Sequence, residues 1–436
     1  MQNKINPWAH RFADLLNKER IKELATVRVS PLEDLYSLPI ELACAKLESL
    51  LDQTFYPTNQ CVDILARLIG AADAHYRLTY SDIENFLMGI YDEDVPLKQF
   101  ELPICLTGLA GIGKTSLLKA FLRVMGCEQY IELNQYHSPF VMATPKLITI
   151  GPRKSVNDLM KALTNSDAKN LNYVARFQSY RDSIPFIIAD EFQFATSSST
   201  ANTIISQMLL SLCYVGVPWM FCANFSLLNK LQRRPVEEVE RLLSNPIVLR
   251  PDSYNSECWM NTLGFQKEVA PEIIKFDAES DAKRIYIMTA GRKRATRRLI
   301  CEAFRIVYPS KGLIDMSALE RAYKSYEFSS YRKDSEIILN QMILNHPHKG
   351  RADLWCSLPM PKDAATQFFE DARAHRNDLV AEMELKSALT GPERKAAKEI
   401  QSTFKKNKNN VVPLGKNNKL NSQELINNAK KFRDSL

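Results

Sequence analysis

Apolar residues recur at helical spacing from Trp8 to Leu16 and from Ile40 to Leu51, so residues 1–100 read as mostly helical. A third helix is expected from about Thr58 to Ala74, and Ser81-Asp82-Ile83-Glu84 resembles a capped helix start. Asp92, Glu93, Asp94 and Pro96 then lead into a different pattern. From Leu102, short apolar runs alternate with amphipathic stretches. Ile104 to Thr107, Lys146 to Ile150, Pro185 to Ala189 and Pro218 to Ala223 are strand candidates. Helices are expected between them, near Lys114–Val124, Val156–Leu163 and Ala201–Tyr214. This alternation predicts an α/β fold whose parallel sheet is covered on both faces. From about Ser256 the strand signals fade. Helices are then expected at Ala282–Met288, Ala295–Val307, Met316–Tyr326, Ser335–Asn345 and Ala364–Met383. After Gln401 the chain is rich in Lys and Asn and cannot bury enough apolar surface to order itself alone, apart from a short helix at Ser422–Phe432. The expected organisation is a helical N-terminal extension (1–100), an α/β core (101–255), a helical lid (256–345), a helical C-terminal extension (346–400) and a flexible basic tail (401–436).

One apolar stretch raises the question of a membrane. Phe192 to Asn229 contains no charged residue. A spanning helix needs about 20 apolar residues, but Gly216 and Pro218 interrupt the run and Ser and Thr crowd its front. A buried helix followed by a buried strand is the expectation. Nine cysteines, with wide spacing and no C-x-x-C, argue against a disulfide framework or a zinc site. The N-terminus lacks the apolar core of a signal peptide, so a cytoplasmic protein is expected.

Charge is informative by its position. The chain of 436 residues carries a net charge of +7, yet residues 1–390 balance. The excess lies in residues 391–436, where 11 Lys and Arg face 4 Asp and Glu. Any basic surface on the body must therefore come from local clusters. Two stand out: Lys283 to Arg298 holds seven basic residues, and Lys146 to Arg181 holds another seven.

The clearest chemistry is Gly108-Leu109-Ala110-Gly111-Ile112-Gly113-Lys114-Thr115, which matches G-x-x-x-x-G-K-[ST] between a strand and a helix. Glycines let backbone N–H groups curl around phosphate oxygens, and the helix N-terminus adds its positive end. Lys114 would reach the outer phosphates, Thr115 would help hold Mg²⁺, and Ser116 completes the binding stretch. Ile187-Ile188-Ala189-Asp190-Glu191 lies 75 residues beyond the loop threonine and ends an apolar strand in two carboxylates. Asp190 would bind Mg²⁺ and Glu191 would polarise an attacking water. Asn224, at the end of the next strand, could fix that water or simply cap the following turn.

These elements, at this spacing, resemble the AAA+ ATPases. Asp190-Glu191-Phe192-Gln193, then Arg233-Arg234-Pro235, then Arg241-Leu242-Leu243-Ser244-Asn245-Pro246-Ile247 look like the transposition regulators of the TnsC and TniB type, over roughly residues 100–345. The resemblance implies ATP and Mg²⁺ as cofactors and an arginine that completes the neighbouring subunit's site; Arg233, Arg234 and Arg241 are the candidates. It implies a lid arginine after a glycine, and Gly291-Arg292-Lys293-Arg294 places Arg294 there, with Arg297 second. It also implies a homo-oligomeric ring or helical filament around double-stranded DNA, recruiting transposase subunits and a target-selection protein. Arg153 and Lys154, with Lys146 and Arg176, are the residues expected at DNA phosphates, contacts that read no sequence. The Lys-rich tail, with Val411-Val412-Pro413-Leu414 as an apolar anchor, could tether such a partner. Two other readings stay open: an AAA+ replication-initiator or helicase-loader relative, and an ATP-switched protein scaffold that does not bind DNA.

Overall fold

The computed structural model describes residues 6–132, 139–149, 151, 155–191 and 199–358, all within one compact unit, Met1–Arg373. Arg153, Lys154, the helix expected at Ala364–Met383 and the whole 401–436 tail lie outside the described residues.

Five helices come first: α1 (Pro7–His10), α2 (Lys18–Ala25), α3 (Ile40–Gln53), α4 (Asn59–Thr79) and α5 (Ile83–Tyr91). The α/β region runs β1 (Ile104–Gly108), α6 (Lys114–Met125), β2 (Gln129–Ile131), β3 (Phe140–Met142), β4 (Lys146–Thr149), α7 (Val156–Thr164), α8 (Leu171–Arg181), β5 (Ile187–Asp190), α9 (Ser199–Cys213), β6 (Trp219–Ala223), α10 (Phe225–Leu231), α11 (Val236–Leu242) and β7 (Asn245–Leu249). Five more helices follow: α12 (Glu257–Glu268), α13 (Ala282–Thr289), α14 (Lys293–Val307), α15 (Met316–Lys324) and α16 (Ser329–Leu344).

Five strands form one sheet in the order β4-β5-β6-β1-β7, and every neighbouring pair is parallel. All residues of β1, β5 and β6 are buried, which is why each reads as a continuous apolar run. Parallel pairing puts the carboxyl ends of all five strands on one edge, the usual ligand edge of an open α/β sheet. Gly108 there lies opposite Leu249, and Thr149 lies opposite Asp190. β7 escapes the hydropathy pattern because it is an edge strand with Pro246 near its start, where a missing N–H is tolerated. The antiparallel β2–β3 pair, α8 and α12 are also additions to the expected elements. α8 buries only Ala175, Ser179 and Tyr180, too few to show a periodicity. Among the described residues no helix is long and apolar enough to cross a membrane, and the uncharged stretch divides into α9, buried β6 and α10.

Two apolar cores divide the unit. The first surrounds the sheet and takes in Trp8, Phe12, Ile21, Leu65 and Leu68 from α1, α2, α4 and the turn after α1. The second joins α12–α15, and it includes Leu35, Ala43, Cys44, Leu47 and Leu51. Helix α3 therefore packs with the lid, while its sequence neighbours α2 and α4 pack with the sheet. The chain leaves the sheet core after α2 and returns before α4. The two crossings are tied by a bridge: Val27 N–H donates to Phe55 O at 2.9 Å and Phe55 N–H to Val27 O at 3.0 Å. Residues 1–100 thus contribute to both apolar cores.

Candidate nucleotide site

The glycine-rich loop sits between buried β1 and the start of α6. Gly111 and Gly113 have φ of +79° and +115°, backbone that side chains with a Cβ disfavour, and Gly113 is the N-cap of α6. A Cβ at Gly108 would come within 2.6 Å of Leu249 O, so the loop also starts too close to β7 for a larger residue. The Lys114 ammonium donates to Gly108 O at 2.8 Å and Leu109 O at 3.1 Å. Burial pushes its pKa down to about 8, against the pull of the Cys222 thiol and the Asp190 carboxylate. Thr115 is exposed at the first turn of α6, with Ser116 beside it.

The carboxylates end the strand two places away in the sheet. Asp190 is 8% exposed, and its Oδ1 accepts from Glu191 N–H at 2.8 Å. Glu191 has φ of +66°, so the chain turns sharply as it leaves β5. Burial raises the Glu191 pKa, and the charge of Asp190 adds to the rise. Asn224 stands at the end of β6, on the same edge. Its Oδ1 caps α10, accepting from Leu227 N–H at 2.9 Å. The capping role weighed for this residue is thus present.

The lid reaches the loop through the first turn of α14. Arg294 N–H donates to Gly111 O at 3.0 Å, and a Cβ at Gly111 would meet Arg294 Cβ at 2.8 Å. Lys293 lies alongside, its Cδ 3.4 Å from where a Gly113 Cβ would be. That end of α14 is fixed from behind by Arg292, 3% exposed, which bonds Ser335 Oγ and Tyr331 O at 3.0 Å and Asp334 at 3.3 Å. Arg297 points elsewhere: its guanidinium pairs with Asp52 of α3.

The three arginines considered for a neighbouring subunit separate clearly. Arg234 is engaged within its own chain, with Nε and Nη2 each 3.0 Å from a Glu238 oxygen. Arg241 is exposed and lies over the Phe100 ring, 5.7 Å from its centroid. Arg233 is exposed in the turn between α10 and α11.

Two of the basic features weighed for DNA contacts are engaged within the chain. Arg176 is half-buried, and its guanidinium donates to the carbonyls of Val95, Leu97, Lys98, Tyr214 and Val215, tying the segment before β1 to the one before β6. The basic run of residues 283–298 is largely neutralised inside the chain. Arg284 pairs with Glu320, Arg292 with Asp334, Arg297 with Asp52 and Arg298 with Glu302. Just beyond, Arg305 pairs with Glu41. Composition counted these charges without their partners, which lie far away in sequence except for Glu302, four residues after Arg298. Lys146 is half-buried at the start of β4.

No protein-family model matches the chain, and no curated protein matches it. Solved structures similar to it include the Aeropyrum pernix Orc1 protein in complex with DNA, at 14% identity and a TM-score of 0.32, covering 67% of this chain and 80% of that one. Another is Cdc6p from Pyrobaculum aerophilum, at 10% identity and 0.36, covering 63% and 79%. A third is domain III of the Thermotoga maritima replication initiation protein DnaA, at 15% and 0.33, covering 55% and 88%. Likeness at this level says nothing of what the present chain binds. The parallel sheet with its phosphate loop, followed by helices, is an α/β P-loop core.

Proposed function

We propose that this chain is a Mg²⁺-dependent ATPase that assembles with ATP on duplex DNA, recruits a transposase and comes apart on hydrolysis. One observation carries the ATPase part. A phosphate loop with two positive-φ glycines, a half-buried lysine and a strand-end carboxylate pair share one sheet edge, and Arg294 reaches the loop from the lid. The donor set fits the group it would hold: backbone N–H and Lys114 for phosphates, Thr115 and Asp190 for Mg²⁺. The metal would screen phosphate charge. Lys114 and Arg294 bind and orient the nucleotide; Glu191, kept partly out of water, takes a proton from the attacking water. Arg233, exposed and outside its own site, is the residue we assign to the neighbour's site, where a cation offsets charge on the outer phosphate.

The transposition step rests on the Arg-Arg-Pro and Arg-Leu-Leu blocks. A replication-initiator or helicase-loader role uses the same site residues, and neighbouring genes would separate the two. Four lid arginines are paired within the chain, so in this reading the DNA contacts come from other cations; a scaffold that does not bind DNA would show no such affinity. Negative-stain microscopy with ATP, Mg²⁺ and duplex DNA tests the proposal. Rings or filaments on DNA are expected; monomers alone would overturn the DNA-assembly reading.

A further inference from the structure

The first two residues of α14 address the two positive-φ glycines of the loop separately. Arg294 lies on Gly111, and the Lys293 stem lies on Gly113, one residue before Lys114. From Gly113 the Lys293 side chain runs toward the segment before α4, with Nζ 5.7 Å from the Phe55 ring centroid. Asp252, in the linker after β7, lies close enough to Lys293 to feel its charge and bonds the Thr58 side chain. Gln60 holds that corner together: its Nε2 donates to Val248 O at 2.9 Å and its Oε1 accepts from Arg250 N–H at 3.2 Å. Linker, α4 and lid thus converge on the α6 end of the loop, with one lysine reaching in.

We propose that Lys293 is a further nucleotide-binding residue, contacting the inner (α and β) phosphates while Arg294 addresses the outer one. Loop order supports this division. Gly113 begins α6, whose N-terminal N–H groups point at the phosphates nearest the nucleoside. Gly111, two residues earlier in the loop, is the glycine that Arg294 covers. Asp252 is the nearby carboxylate whose charge Lys293 feels, and in this reading it competes with the nucleotide for that charge. This inference rests on the nucleotide site proposed above.

The test compares ATP and ADP binding by calorimetry in the full chain. Lys293→Gln should weaken both nucleotides alike, by about tenfold each. Arg294→Gln should weaken ATP while leaving ADP nearly unchanged. Lys293→Arg should restore most of the affinity, and Asp252→Asn should tighten both nucleotides about two- to threefold. A Lys293→Gln protein that binds both like the parent, or that loses only ATP, would overturn the assignment. A parent protein that binds neither nucleotide would instead remove the site reading itself. A thermal unfolding curve without nucleotide identifies a variant that fails to fold, and Lys293→Met then repeats the comparison with the aliphatic stem kept.

Discussion

The backbone of Arg294 donates to the carbonyl of Gly111, so the lid grips the phosphate loop through main chain as well as side chain. The consequence is testable at Gly111. With φ of +79°, an alanine there would be strained by about 1–2 kcal/mol, and its Cβ would strike Arg294 Cβ. Gly111→Ala should therefore push α14 off the loop. Hydrogen exchange of the Arg294 amide should speed up, and ATP affinity should fall roughly tenfold. Arg294→Ala should not relieve the collision, because the striking atom is Cβ. Unchanged exchange at Arg294 in Gly111→Ala would show that the contact is not held in solution.

Lys114 gives a pH signature. Its pKa of about 8, lowered by burial from an ordinary 10.5, means the free protein sheds this charge as pH rises past 8. Phosphates need the ammonium, so a bound nucleotide draws the proton back. ATP affinity should be flat below pH 8 and fall above it, approaching tenfold per pH unit. Stability of the ligand-free protein follows the opposite sign. Between 8 and 10.5 the unfolded chain holds more protons, so this group adds stability as pH rises. Calorimetry at pH 9 in two buffers of different ionisation enthalpy should report proton uptake on binding; no uptake would contradict the lowered pKa.

Much of this site was legible in the sequence because it is local. The loop motif is contiguous, and the apolar run into Asp190-Glu191 shows both a buried strand and its end. What stayed hidden depends on residues far apart in sequence. The seven basic residues of 283–298 suggested a nucleic-acid surface, yet four of them pair with carboxylates of α3, α15, α16 and α14 itself. The five carbonyls that Arg176 gathers come together only in three dimensions. Lys293 carried only the weak signal of standing beside the lid arginine. The hydropathy of α3 predicted a helix correctly, but nothing in it says which core that helix joins.

Glu191→Gln should separate binding from turnover. The amide keeps the shape and the sharp turn at φ of +66° but cannot accept a proton. ATP affinity should stay within about twofold, and steady-state hydrolysis should drop by at least about a hundredfold. ATP-dependent assemblies should then persist. Rapid phosphate release by this variant would take Glu191 out of the mechanism.

The arginine candidates should diverge in mixing experiments. Arg233→Ala should leave nucleotide affinity unchanged and lower hydrolysis, with activity partly regained when it is mixed with Lys114→Ala subunits, since each then supplies what the other lacks. Arg234→Ala should instead cost stability, about 1 kcal/mol from the lost bidentate pair with Glu238. If Arg234→Ala loses turnover with no change in unfolding midpoint while Arg233→Ala is silent, the assignment of the neighbour-facing residue moves to Arg234.

The shared N-terminal segment predicts two separable destabilisations from substitutions of one chemical kind. Leu47 in α3 and Leu65 in α4 are both fully buried, but in different cores. Truncating either to alanine should cost roughly 2–5 kcal/mol, and the loss should appear in different places. Leu47→Ala empties a site against the lid helices, and the ion pairs of Asp52 with Arg297 and Glu41 with Arg305 lie along the same α3–α14 contact. Exchange should then rise across α14 and α15 while β1, β5 and β6 keep their protection. Leu65→Ala should loosen the sheet core and spare α14. Because the first turn of α14 carries Lys293 and Arg294, the Leu47 variant should also lose nucleotide affinity, although α3 itself lies outside the phosphate loop and its carboxylate partners. Identical exchange maps for the two variants would mean that α3 and α4 belong to one cooperative body, and the division of the N-terminal segment would not survive.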